Sequence, residues 1–411
     1  MFTKTLAIKS FMIASTTLAL FLKTTYQFFS KRKSAERKTI CVIRLDKTVG
    51  DTVMNSSFLK GLRDLNPEAR IILVVHKNSF ALVESSCVVD EVKTYNPGNS
   101  LKYSLLNRLY KTCLFVWREF DCIPDISIVP RFDEDHNAAF ISLFSLAPVR
   151  VAWSEKVTLR KSVLNYSFDK LSTKIINSDK VEHEVMRGVE VLNAIHEDSI
   201  TPVPELDIWL SQHEIEDAKK KFNINESNKK YICLGISSGH SRLKQWPLEY
   251  FKDLAVRLYA DDNNSIFVLL GAKGDFVQGQ EFVKLCNFEV PILNLISQTT
   301  LRETGAVLNT CKLYIGNDSG NLHLAAAAHI PTIGLYGSSC AHRFSPWGLL
   351  SEFVAVEKEC GPCHQGHIID RCSVCIYDKP VCMYELSVDM AYSKIMGLTN
   401  HLVISQSKCN F

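Results

Sequence analysis

The sequence predicts an α/β protein built from two doubly wound domains that face each other. Three observations carry this. Short β-branched apolar runs alternate with stretches of helical spacing, and the alternation occurs twice along the chain. The 411 residues suit two domains of ordinary size. A Pro-bearing extended link, PVPEL at 202–206, separates the two alternations and places the boundary near residue 200.

The first alternation opens on TICVIRL (39–45), a buried parallel strand by its continuous apolar character. A Gly-containing turn and a helix through Leu65 follow. RIILVV (70–75), VDEVKTY (89–95), DISIVP (125–130) and VRVAW (149–153) are the further strands, with helical spacing at 100–120. HEVMRGVEVLNAI (183–195) reads as a helix that closes this half. The second alternation runs through YICLGIS (231–237), SIFVLLG (265–271), PILNLI (291–296), LYIGNDS (313–319) and PTIGLYG (331–337), with helices at 247–260 and 300–310 among them. Tyr384–Leu398 reads as a final helix. In doubly wound sheets ligands bind outside the carboxyl ends of the strands, so site residues are sought there.

Composition narrows the function. The net charge is +3. Residues 1–40 hold eight Lys or Arg against Glu36 alone, a net of +7, which leaves the rest of the chain at −4. A mildly acidic body argues against a nucleic-acid binder, whose basic charge should lie on the folded face. The basic excess flanks the apolar run Phe11–Leu22, which is too short to span a bilayer and lacks a small-residue cleavage site after it. Residues 1–38 therefore read as a membrane-associating segment lying in the interface, with Lys31, Arg32, Lys33, Arg37 and Lys38 toward anionic lipid. A frayed extension is the plain alternative. Nine of the fourteen cysteines are scattered singly, mostly in apolar segments, which indicates buried thiols in a reducing compartment.

The most informative motif is GNDSGNLHLAAA (316–327). An apolar strand ends at Ile315, a Gly-Asn-Asp turn follows, and a small-residue helix begins near Ser319. The amides of Ser319, Gly320 and Asn321 would form a helix N-terminus that attracts phosphate. Gly320 admits close approach of a ligand, and His323 lies one turn in. The plain alternative is an N-cap at Asp318 or Ser319 with a core histidine.

The stretch GNDSGNLHLAAAAHIPTIGLYG resembles the donor-binding motif of the heptosyltransferase-type glycosyltransferases, family 9. RLDKTVGDTVMNSSFLKGLRDLNPEARIILVV (44–75), HEVMRGVEVLNAI and SSGHSRLKQWPLEYF (237–251) resemble other family segments, and together the matches run over about residues 39–397. The resemblance implies a GT-B architecture of two Rossmann-like domains. Residues 39–200 would bind the acceptor; residues 201–398, including the Cys-rich loop 360–382, would bind the nucleotide sugar, with 399–411 a tail. It implies inverting transfer without a metal, and a last helix that crosses back onto the first domain.

On this basis Asp51, after Gly50 at the mouth of the first strand, is the candidate base. The chain has one residue more than the commoner Arg-Leu-Asp-Lys-Ile-Gly-Asp spacing, so Asp46 is a rival, and a helix-capping Asp51 is the plain alternative. Lys244 in Lys-Gln-Trp-Pro matches the family lysine that meets the donor phosphates. Ser238, Gly239 and His240 share its loop and would add hydrogen-bond donors, and Asp318 would belong to the turn that binds the nucleotide sugar. Asp275, in Gly271-Ala-Lys-Gly-Asp, stands between a ribose contact and an ordinary helix cap. Lys47 and Arg131 lie near strand ends of the first domain, within reach of an anionic acceptor.

Cys360-Gly-Pro-Cys363 and Cys372-Ser-Val-Cys375, followed by Cys382, have the spacing of a metal knuckle. Cys360, Cys363, Cys372 and Cys382 match the family pattern, with Cys375 an extra. Zinc or iron would be structural there, and His364 or His367 would be substitutes for one thiolate. Reduced thiols in a compact loop are the alternative.

The resemblance implies a heptose carried from a nucleotide-diphosphate donor, expected to be ADP-heptose, to a lipopolysaccharide-core or surface-glycan acceptor. The enzyme would be cytoplasmic and peripheral on the inner face of the cytoplasmic membrane, with no cofactor for catalysis. A protein acceptor of the autotransporter type, and a catalytically silent nucleotide-sugar-binding homologue, are the alternatives. The retained Asp51, Lys244 and His323 count against the silent reading.

Overall fold

The computed structural model describes residues 37–96, 105–178, 182–196, 203–224, 228–239, 241–363 and 374–408. The N-terminal segment proposed to meet membrane, up to residue 36, lies outside them.

Twelve strands fall into two parallel six-stranded sheets among the described residues. The first sheet has the order β3-β2-β1-β4-β5-β6. Its strands are β1 (Thr39–Arg44), β2 (Arg70–His76), β3 (Glu91–Tyr95), β4 (Ile126–Val129), β5 (Val149–Trp153) and β6 (Lys174–Ile176). Its helices are α1 (Val49–Leu65), α2 (Leu105–Glu119), α3 (His136–Phe144), the short α4 (Leu159–Leu164) and α5 (Glu184–Ile195). The second unit begins with α6 (Gln212–Lys221). It continues β7 (Lys230–Gly235), α7 (Leu248–Asp261), β8 (Ser265–Leu269), α8 (Phe276–Cys286), β9 (Ile292–Asn294), α9 (Leu301–Thr310) and β10 (Leu313–Asn317). Then come α10 (Gly320–Ala327), β11 (Thr332–Tyr336), α11 (Ala341–Phe344), β12 (Ser351–Ala355), α12 (Val381–Glu385) and α13 (Val388–Lys408).

The second sheet, β12-β11-β10-β7-β8-β9, repeats the first when read from its other edge. Each sheet reverses its winding beside its first strand, between β1 and β4 and between β7 and β10. Such switch points open crevices at strand carboxyl ends.

Every residue of β1 is buried, as a strand covered on both faces requires. Ile40 and Val42 pack with Val53, Phe58, Leu59 and Leu62 of α1 on one face. Cys41 and Ile43 meet Leu109, Val116 and Ile141 on the other. β7 divides in the same manner: Tyr231 and Cys233 join the first core, while Ile232 and Leu234 face Phe251, Leu254 and Ala255 of α7. The core containing α1 also contains Leu322, Leu324 and Ala325 of α10 and Val307 and Leu308 of α9, so one apolar cluster runs through both units. The link is stitched onto α1: Ser57 donates to the Pro204 carbonyl at 2.6 Å, and Asp207 N–H to Ser56 Oγ at 2.8 Å. Arg302 of α9 reaches the carbonyls of Ala81 and Trp209, each at 3.0 Å, and so pins three parts of the chain together.

The expected final helix is present in two pieces. It is α12 followed by α13 rather than one helix from Tyr384, and its main contacts are with α7, β11 and β12 of its own unit. Arg257 pairs with Asp389 at 2.6 Å and the Tyr392 hydroxyl donates to Asp261 at 2.8 Å, which fixes α13 against α7.

Candidate active site

Helices α1 and α10 begin at the carboxyl ends of β1 and β10, and their first turns abut. A Cβ on Gly50 would stand 2.6 Å from Cδ2 of His323, and a Cβ on Gly320 2.8 Å from Cβ of Val49. Each glycine therefore permits the other helix to approach, and together they bring Asp51 of the first unit beside the 316–323 turn of the second.

Asp51 is the third residue of α1, partly exposed, and accepts a bond from the Thr48 hydroxyl at the N-cap. Burial raises its pKa above the ordinary carboxylate value, and the nearby Asp46 carboxylate adds to the rise, against the pull of Arg44 and Arg131. Asp46 is buried and forms ion pairs with both arginines. Asp46 is thus enclosed by its counter-ions, whereas Asp51 opens to the cleft. Arg131, expected as an acceptor contact, is taken up by Asp46. Lys47 is exposed.

On the facing side, Lys244 Nζ lies 2.7 Å from Asp318 Oδ2. Burial would lift the Asp318 carboxyl, but Lys244 and His323 outweigh it and hold the pKa below the ordinary range. His323 is buried, and burial drives its pKa down to about 4 although Asp318 opposes the change; the ring is neutral near pH 7. Its Nδ1 has no hydrogen-bond partner among the described residues. Ser319 is the N-cap of α10 without a side-chain cap bond, so its role is that of a backbone turn. The N–H groups opening α10 are donors of the kind that bind phosphate at helix N-termini.

Asparagines fasten this turn to its neighbours. Asn317 accepts from Trp246 N–H at 2.9 Å and donates to the Ile236 carbonyl at 2.8 Å, joining the ends of β10 and β7 to the lysine loop. Asn321 donates to the Leu270 carbonyl at 3.1 Å, at the end of β8. Its side-chain N–H is committed there, which leaves its backbone for a ligand. Gly316 and Gly235 are paired across β10 and β7 with their backbones in close approach, and the Tyr314 hydroxyl fills the space a Gly235 side chain would need.

Ser238 is buried and donates to the Ser241 carbonyl at 2.6 Å; Gly239 holds a left-handed φ of 63° with open space about it. His240 lies outside the described residues. Asp275 accepts from Ala272 N–H at 2.8 Å, which closes the turn after β8, and as the residue before α8 it makes no side-chain cap bond to that helix.

Cys360, Cys363, Cys375 and Cys382 line one small cavity with Leu243 and Gly337, so Cys375 belongs with the cluster rather than outside it. Among the described residues no three His, Cys, Asp or Glu side chains stand together to hold a metal ion. The described thiols therefore do not compose the expected zinc or iron site. Cys372, His364 and His367 lie outside the described residues.

Sequence reasoning missed a buried charge cluster between the units. Arg343 of α11 pairs with Glu184 of α5 and, at 2.8 Å, with Asp133; Arg187 pairs with Glu184 at 2.5 Å and stacks on the Phe132 ring, 3.6 Å from its centroid. Although burial opposes it, Arg343, Arg187 and Arg44 bring the Glu184 pKa down to about 2. His183 Nε2 lies 2.8 Å from the Ser345 carbonyl and its ring is tilted against Trp347, with centroids 4.8 Å apart. The sequence signal was present in His183-Glu184-x-x-Arg187, but its partner lies 159 residues away from Glu184.

Two facing doubly wound units with a cleft between their strand ends are the architecture of GT-B glycosyltransferases. The sequence profile of glycosyltransferase family 9 (heptosyltransferase) matches residues 131–370, more than half of the chain. The chain belongs to this family and is a glycosyltransferase. It is 25% identical to lipooligosaccharide heptosyltransferase 2 of Campylobacter jejuni over 334 residues, 79% of this chain and 89% of that protein. Over 145 residues it is 30% identical to lipopolysaccharide heptosyltransferase 2 of Escherichia coli K12, 33% of this chain and 40% of that protein. The fold matches the structure of E. coli ADP-heptose lps heptosyltransferase II with a TM-score of 0.65 at 19% identity, over 89% of this chain and 99% of that one.

Proposed function

We propose that this chain transfers a heptose from ADP-heptose to a lipopolysaccharide-core acceptor with inversion at the anomeric carbon. The observation that carries the reading is the abutment of α1 and α10, which brings Gly50, the neighbour of Asp51, against His323 of the other unit, whose turn also holds the Lys244–Asp318 pair. Residues 39–200 receive the acceptor and residues 201–398 the donor.

The acceptor hydroxyl gives its proton to Asp51 as its oxygen attacks the anomeric carbon from the side opposite the diphosphate. The bond from that carbon to the diphosphate oxygen breaks, and the electron pair leaves with the diphosphate. A raised pKa brings Asp51 nearer the working pH of a base. The leaving diphosphate's charge is met by Lys244 and the α10 amides, with neutral His323 as a further donor. No step is routed through a metal. Among the described residues no helix is long and apolar enough to cross a membrane; the reading places the enzyme in the cytoplasm, against the inner face of the membrane that holds its acceptor.

The test incubates purified protein with ADP-heptose, UDP-sugars and GDP-sugars, with and without truncated lipopolysaccharide, and follows transfer by mass. Transfer from ADP-heptose that Asp51→Asn abolishes is expected. Transfer from another donor, or an Asp51→Asn variant as active as the parent, would overturn the reading.

A further inference from the structure

Helix α4 is built inside out. Its lysine, Lys161, is buried and donates from Nζ to the carbonyls of Phe132 at 3.0 Å and Trp153 at 3.1 Å. Its apolar residues face outward: Leu159 is 65% exposed, Val163 59% and Leu164 45%, with Tyr166 just beyond at 45%. Leu159 and Val163 are one turn apart and share a face. Contiguous exposure of large apolar side chains on a helix fixed from within marks an interaction surface.

The charges around it that are exposed and without an ion-pair partner among the described residues are basic. Between residues 154 and 178 the basic residues are Lys156, Arg160, Lys161, Lys170 and Lys174, and the acids only Glu155 and Asp169. Lys156, Lys170 and Lys174 are exposed. Both acids are turned inward: Asp169 accepts from the Ser154 hydroxyl at 2.8 Å and Glu155 N–H at 2.6 Å, and Glu155 accepts from Asp169 N–H at 3.2 Å. On the neighbouring loop, Glu134 pairs with Arg160 at 2.8 Å and Asp135 caps α3. An apolar ridge within a basic field thus projects from a body whose net charge is negative.

We propose that this 156–175 surface docks on an anionic phospholipid bilayer. Leucine, valine and tyrosine side chains enter the headgroup boundary, and the lysines meet lipid phosphate. Charge decides against two other occupants. Residues 1–40 carry a net charge of +7, so the chain's own N-terminal segment is repelled from a basic field. A second copy seated face to face would bring like charges together. Helix α4 lies at the carboxyl edge of the first sheet, after β5, with Lys174 further back along the edge strand opposite Val151, and α4 rests on the Phe132–His136 loop next to Arg131 and the Asp51 cleft. An acceptor held in the same bilayer would enter that cleft; this consequence rests on the proposed transfer, while the docking does not.

The experiment measures co-sedimentation of the full chain with vesicles of phosphatidylcholine, alone or with about a third phosphatidylglycerol. Binding to the anionic vesicles is expected to be at least roughly tenfold tighter and to weaken with salt. Leu159→Ser with Val163→Ser, and separately Lys156→Glu with Lys170→Glu and Lys174→Glu, should each lose about tenfold. Circular dichroism and the unfolding midpoint confirm that each variant is folded, and either folded variant decides the matter. Folded variants that bind as the parent does, equal binding to both vesicles, or a leucine/valine variant that loses only self-association would each overturn the proposal. Transfer to a deacylated, soluble acceptor should be unchanged in both variants. Vesicle binding without heptose transfer to any acceptor would sink the proposed function and leave the docking face standing.

Discussion

Replacing Glu184 by glutamine tests the buried junction between the units. The Glu184 side chain is 6% exposed and lies between Arg187 and Arg343, which are 2% and 1% exposed. Its pKa falls to about 2 from an ordinary 4.5. That difference corresponds to about 3 kcal/mol of preference for the charged form, within the roughly 3–5 kcal/mol expected when one partner of a buried pair is removed. Glutamine keeps an acceptor oxygen but leaves Arg343 with Asp133 as its remaining counter-ion. Guanidinium unfolding at neutral pH should therefore show a loss of about 3 kcal/mol, and thermal unfolding a midpoint lowered by roughly 3–4 °C. Acid supplies the control. A carboxylate with a depressed pKa contributes stability that is complete above the unfolded value of 4.5 and is lost as pH falls toward 2. The parent should lose this contribution across that window and Glu184→Gln should not. A variant within about 0.5 kcal/mol of the parent, with the same acid slope, would refute the reasoning.

Other expectations follow from the cleft. Gly50→Ala drives a methyl group against the buried His323 ring, which should cost about 1–3 kcal/mol and lower kcat by up to ~100-fold through separation of α1 from α10; unchanged kcat would show that the abutment does not matter. Asp46→Asn should retain transfer while moving the acid limb of the pH–rate profile downward, since it removes a carboxylate that raises the Asp51 pKa; loss of transfer in a folded Asp46→Asn with activity retained in Asp51→Asn would exchange their roles. The His323 pKa lies near 4 in the fold against 6.5 outside it, so the unfolded chain takes up a proton first as pH falls. Stability should drop by about 2 kcal/mol between roughly pH 7 and 5, and His323→Gln should remove that part of the slope in guanidinium titrations. Lys244→Met should raise KM for the donor and lower kcat, read from initial rates; identical kinetics would remove it from the site.

Much of this molecule was legible because parallel strands buried on both faces read as unbroken apolar runs, as Ile40–Ile43 and Ile71–Val75 do. The edge strands β6 and β12 were not: Lys174–Ile176 is three residues with one buried, and Ser351–Ala355 mixes a glutamate and a serine into the run. The 316–323 turn was legible because its glycine, acid and small helix are contiguous. The enclosure of Asp46 was not legible, because its partner Arg131 is 85 residues away. Arg343 was invisible as a functional residue since nothing local distinguishes an arginine that crosses between units from a solvated one. The partners of α13 were not legible, because Arg257, Asp261 and Glu352 are distant in the chain from the residues they hold.

The pairing of Lys244 with Asp318 carries a consequence for selectivity. A lone lysine at a helix N-terminus is a trap for any passing phosphate, and the cell is full of them. Here the ammonium already has a carboxylate at 2.7 Å, so a small anion must compete with a partner tethered in place. Only a ligand that gains elsewhere, by spanning from the lysine loop to the α10 amides and beyond, recovers what it loses in prising the pair apart. On the proposed function, that built-in counter-ion makes a small free anion a weaker ligand than a donor that spans the site.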